Sequence, residues 1–176
     1  MLRCRVRLVG DLSVLDPRNE AQKVLKRLWC DSQFPVDPVT ICKSLGLDVV
    51  EMALPDKVSG ALIKEAGADP VIVLHQDDHL NRKRFSCAHE LGHYISRIES
   101  DNTDKEYEYI DLRGPSASTG EDEEEVFANQ FAANLLMPNE EVKKLHRKKM
   151  AHFEMALHFG VSVEALKYKL NALELL

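Results

Sequence analysis

Apolar positions along the chain recur at two spacings, and the switches between them divide it into elements. Residues 1–18 carry no clear period. Over 19–33, Val24, Leu25, Leu28 and Trp29 fall on one side of a helix, and Pro35 and Pro38 then interrupt the chain. Residues 38–45 read as a short helix closed by Gly46, followed by strands at 47–52, 61–64 and 71–75. A turn containing Gly67, Asp69 and Pro70 joins the last two.

From 82 to 98 the period becomes helical, with Phe85, Ala88, Gly92 and Ile95 on one flank and Ser86, His89 and His93 on another. A long polar connection over 99–119 holds one strand candidate, Tyr107–Leu112. A second strong helix begins near Thr119 or Gly120. Its first turn is acidic, Val126, Phe127, Phe131, Leu135 and Leu136 supply its apolar positions, and Pro138 ends it. Residues 139–158 read as one helix, Gly160 as a break, and Ser162 as the cap of a last helix through Leu173. Strands followed by helices predict an α+β domain: a short, mostly antiparallel sheet packed on the 82–98 helix, with helices at the C-terminus. The core is expected over 19–140, and 141–176 as a helical segment that packs on it or docks a partner.

Composition adds exclusions. The chain has 176 residues, 44% hydrophobic and 30% charged, enough for a core without disulfides. The net charge of −6 disfavours broad nucleic-acid binding. No apolar run is longer than a few residues, so neither a membrane span nor a secretory leader is expected. Cys4, Cys30, Cys42 and Cys87 form no C-x-x-C pair and read as reduced thiols, which suits a cytoplasmic protein.

The chemistry concentrates at 89–93, His-Glu-Leu-Gly-His. Histidines at i and i+4 of a helix stand one turn apart on one face, so their imidazoles can converge on a single ion. Glu90 follows the first histidine directly, placed beside the ion rather than on it, where a carboxylate takes a proton from attacking water and passes it to a leaving amine. Two imidazoles and a carboxylate would suit Zn2+, which polarises a scissile carbonyl.

A catalytic zinc takes a third protein ligand. No G-x-x-H follows the motif; the candidates are the acids at 121–125, and His146, His152 and His158 beyond Pro138. Helical phase favours Glu125, which shares a face with Ala128, Asn129 and Ala132. Small residues there would let the second helix approach the first. Asn129, one turn on from Glu125, is placed to hydrogen-bond a ligand histidine. Glu121 to Glu124 read as solvated first-turn acids.

Two segments together, R-F-S-C-A-H-E-L-G-H-Y-I and E-V-F-A-N-Q-F-A-A-N-L-L-M-P, resemble the ImmA/IrrE family of metallopeptidases, with V-S-G-A-L-I at 58–63 similar to the strand before that family's active helix. The likeness covers roughly residues 35–170. It implies a small zincin-like fold, a zinc held by His89, His93 and Glu125, and Glu90 as general base. It also implies a protein substrate in a bacterial or phage-encoded setting, a helix-turn-helix repressor, or a repressor-like antitoxin as partner. Phe127 stands where many members carry a charged residue, which leaves Glu125 the sole acid of E-V-F-A-N.

Other features are weaker. Arg113, Tyr107, Tyr109 and the later histidines are oxyanion donors only by type. The strand at 59–63 is equally an internal strand or an edge open to an extended substrate. Cys87 reads as core, and the basic run K-K-L-H-R-K-K at 143–149 as a solvated helix face. The C-terminal pattern resembles a helix-turn-helix but offers no arginine for guanine contacts, so it reads as a packing or docking element. The expected activity is endopeptidase cleavage of a specific repressor. The rival is a toxin or regulator that acts by complex formation alone.

Overall fold

The structure is a computed structural model and describes residues 15–29, 33–65, 67–99, 107–112 and 123–176. Helix α1 (Pro17–Leu28) starts at an aspartate–proline pair: Asp16 Oδ1 accepts the Arg18 N–H, and Pro17 takes the position where an N–H would have no partner. The same device starts α2 (Pro38–Ser44), where Asp37 Oδ1 accepts the Val39 N–H. Gly46, at φ +84°, turns the chain out of α2 into β1 (Asp48–Met52).

The sheet contains β1, β2 (Val58–Lys64), β3 (Val71–His75) and β4 (Tyr107–Leu112) in the order β1-β3-β2-β4. β1 runs parallel to β3, and β2 pairs antiparallel with both β3 and β4. The expected mostly antiparallel sheet is present. β2 lies inside it, so the segment at 59–63 is an internal strand and not an open edge. The β2–β4 register shifts between Val58 and Gly60.

Helix α3 (Leu80–Glu99) packs on β2 and β3, and α4 (Glu123–Leu136) packs along α3 with α1 behind it. Then follow α5 (Asn139–Arg147), α6 (His152–Phe159) and α7 (Val163–Ala172). The expected single helix over 139–158 is thus two. Lys149 adopts a left-handed φ of +57°, Met150 N donates back to Leu145 O, and the Glu154 carboxylate accepts the Ala151 N–H at the new start. Ser162 caps α7 as expected, its Oγ accepting the Ala165 N–H.

One buried cluster joins the layers: Leu62 and Ile72 from the sheet, Leu91 from α3, Phe131 from α4, and Met155 and Leu166 from the C-terminal helices. Arg84 of α3 fastens those last helices. Its guanidinium donates to Phe159 O and Gly160 O at the C-terminal end of α6, and to Val36 O. A cation there also meets the negative end of the helix dipole. Among the described residues no helix is long and apolar enough to cross a membrane.

Candidate metal centre

Three faces of α3 carry three tasks. Ala88, Leu91 and Ile95 are buried in the core. His89 and His93 turn toward α4. Arg82, Ser86 and Glu90, spaced four apart, turn toward β2. His89, Glu90 and His93 are almost wholly buried, although each carries a polar group. Such groups stay buried only when bonded or when they hold something.

Helix α4 comes close enough to complete the site because both helices are small where they cross. A β-carbon built on Gly92 would lie 2.9 Å from the Cα of Ala128. Glu125, one turn before Ala128 and Asn129, is thereby carried to the histidines. Its Oε1 is 3.0 Å from His93 Nε2, and its Oε2 is 3.5 Å from His89 Nε2. The two Nε2 atoms are 3.1 Å apart. Among the described residues, His89, His93 and Glu125 form the one group of this kind, with ligand atoms all within 4.8 Å of one another.

These distances test whether the residues fit a metal. Tetrahedral zinc with bonds of about 2.0–2.1 Å sets its ligand atoms about 3.3–3.4 Å apart, and the observed separations bracket that spacing. The hydrogen bonding agrees. Asn129 Oδ1 lies 3.1 Å from His89 Nδ1 and can only accept, so Nδ1 is the donor of that bond and Nε2 is the ring nitrogen turned inward. His89 Nε2 and the Glu125 carboxylate then face one small volume, which a cation or a proton must occupy. Hydrogen bonds to His89 and then His93 hold the Glu125 carboxyl well below the usual carboxylate range, against the opposing effect of burial. The residues fit a metal of the zinc type.

The remaining candidates are elsewhere. Glu124 pairs with Arg97 at 3.5 Å, Glu123 is exposed, and Glu121 and Asp122 lie outside the described residues. His158 stands against Glu141 and the ring of Phe34. His146 and His152 are in no such cluster. Arg113 and the side chains of Tyr107 and Tyr109 also lie outside the described residues. Cys87 is fully buried with its Sγ 3.8 Å from that of Cys42 on α2, a core position as expected.

Sequence reasoning passed over two residues of the site. Gly92 was visible on a helix flank, but its role depends on which residue of α4 it meets. Gly60 of β2 faces Glu90: a β-carbon there would lie 3.2 Å from Glu90 Oε1. The only signal was a glycine inside a strand, which marks a bulge or a close approach.

A peptidase family model described as the IrrE N-terminal-like domain matches residues 42–171, from within α2 to the end of α7. No curated protein matches the chain.

Proposed function

Because the chain belongs to the family of the IrrE N-terminal-like domain, a family of peptidases, we propose that it is a zinc-dependent endopeptidase that cuts one specific protein, a helix-turn-helix repressor of a phage, integrative element or stress-response system. The hydrolase class follows from the family together with the buried His-His-Glu group. Substrate and cleavage are the proposal. The observation that carries it is the convergence of His89, His93 and Glu125 at zinc spacing with the buried carboxylate of Glu90 on the next residue of the same helix.

In this reading His89, His93 and Glu125 hold the ion, which when bound supplies Lewis acidity for the scissile carbonyl. Asn129 holds the His89 ring in one tautomer and orientation. Glu90 takes a proton from the attacking water and delivers it to the leaving amine, a role that suits a carboxylate shielded from bulk solvent. Residues 19–140 form the chemical unit in this proposal, and 141–176 pack on it or dock the partner.

The test is incubation of the zinc-loaded protein with the helix-turn-helix protein encoded by a neighbouring gene. Wild type should cleave it. Glu90→Gln should bind zinc and leave it intact. Equal cleavage by the variant removes Glu90 from the mechanism.

A second reading, partner binding without proteolysis, draws on Phe153 and Leu157 of α6 and Tyr168 of α7, each more than 60% exposed. Under it, Glu90→Gln keeps full biological activity.

A further inference from the structure

Successive residues of a regular strand point to opposite faces of the sheet. Ser59 and Gly60 do not follow that rule. Ser59 is buried, and its Oγ accepts two N–H bonds from the Arg82 guanidinium, at 3.0 and 2.9 Å. A β-carbon on Gly60 would meet Glu90 Oε1 at 3.2 Å, Ser86 Cβ at 3.4 Å and Glu90 Cγ at 3.5 Å. Both positions therefore address α3, and they do so along one stripe of it, Arg82, Ser86 and Glu90 at i, i+4 and i+8. The register shift between Val58 and Gly60 permits this, since an extra residue in one strand re-aims its neighbours.

A contact of 3.2 Å is tighter than ordinary van der Waals packing. The Glu90 side chain is fully buried and has little freedom to retreat. The missing side chain at position 60 thus forms the notch in which the carboxylate of Glu90 lies. The Arg82–Ser59 bonds hold the bulge that sets the notch over Glu90.

We propose that the Ser59–Gly60 bulge is a positioning element for Glu90: Gly60 provides the space that fixes the carboxylate, and Arg82 acting on Ser59 keeps that space in register. This deepens the proposed function and rests on its reading of Glu90 as the proton acceptor. The three atoms nearest a β-carbon on Gly60 belong to Glu90 and Ser86 and not to a ligand of the ion, so zinc binding and proton acceptance should separate.

The test uses zinc-loaded full-length protein and acetohydroxamic acid as the probe. This acid binds zinc as its anion, and an adjacent carboxylate that accepts its proton strengthens binding. Calorimetry in buffers of different ionisation enthalpy counts the protons released, and competition with a chromophoric chelator gives zinc affinity. With wild type, the proton stays on the protein. Gly60→Ala should keep the zinc affinity, with at most a modest fall in melting temperature. It should bind the probe about tenfold or more weakly, a charge-assisted hydrogen bond being lost, and release about one proton per molecule to buffer, as Glu90→Gln does.

If Gly60→Ala matches wild type in probe affinity and proton count while Glu90→Gln does not, the positioning role is overturned and the reading of Glu90 stands. If Glu90→Gln itself matches wild type, the reading of Glu90 falls and this inference falls with it. Loss of zinc by Gly60→Ala also overturns it. Should Gly60→Ala fail to fold, Ser59→Ala decides, since it adds no bulk. It should shift the proton count in the same direction, Ser59→Thr should restore it, and an unchanged count in Ser59→Ala overturns the proposal.

Discussion

Gly92 of α3 and Ala128 of α4 meet with no space between them: a β-carbon on Gly92 would stand 2.9 Å from the Ala128 Cα and 3.2 Å from its carbonyl oxygen. The nearest atoms are backbone, so a side chain there cannot be met by a rotamer change. The contact sets the separation of the two helices, and with it the distance from His93 to Glu125.

Gly92→Ala should therefore push α4 outward. Overpacking of this kind costs about 1–3 kcal/mol. The larger effect should be on metal affinity, because Glu125 moves with α4 while the histidines move with α3. We expect a zinc affinity about 10–100-fold lower, the range that follows loss of ligand support, with a modest fall in melting temperature. A chelator-competition titration checks this, and wild-type affinity in Gly92→Ala would show that the crossing does not set the site.

Asn129 tests the tautomer argument. Asn129→Ala removes the acceptor at His89 Nδ1, frees the ring to rotate, and should lower zinc affinity about 10–100-fold with little change in stability. Asn129→Asp keeps an acceptor and should retain most of the affinity. Equal affinity in all three proteins would mean that the bond does not orient His89.

How far the chain disclosed this site depends on the range of each constraint. His89 and His93 were legible because helix geometry alone places i and i+4 on one face. Glu125 could be preferred to Glu121–Glu124 because Ala128 and Ala132 marked a face fit for close approach. The partner of that face, Gly92, needed the crossing point. The break at Lys148–Lys149 was not legible, because a lysine with φ near +57° carries no glycine or proline signal. The Gly60 notch depends on a register shift between β2 and β4, strands more than forty residues apart in the chain, and no local pattern reports that.

Arg84 joins α3 to the end of α6 through the Phe159 and Gly160 carbonyls, and to Val36 O. Arg84→Leu would leave Phe159 O and Gly160 O without this donor at a partly buried helix end, at a cost of about 2–4 kcal/mol for the set. The loss should be local first. Hydrogen exchange should speed up in α6 and α7 before it does in α3 or β2. Uniform loss of protection across all elements would contradict a clamp at that position.

Lys169 of α7 gives the pH test. It is buried, and its Nζ donates to Asn134 Oδ1 of α4 at 2.7 Å. Burial, assisted by the nearby charge of Arg18, lowers its pKa from 10.5 to about 8. The unfolded chain therefore binds more protons than the folded one between about pH 8 and 10.5, and stability rises with pH across that window. Below pH 8 the full cost of burying the charged lysine is present. A shift of this size corresponds to about 3 kcal/mol, partly offset by the bond to Asn134. Lys169→Met should raise stability at pH 7 by about 1–3 kcal/mol, and its advantage should shrink as pH rises from 8 to 10.5. Urea unfolding at pH 7, 9 and 10 measures both. A constant difference between the two proteins over that range would show that Lys169 titrates alike in the folded and unfolded chains, and would remove burial of its charge as a cost to this fold.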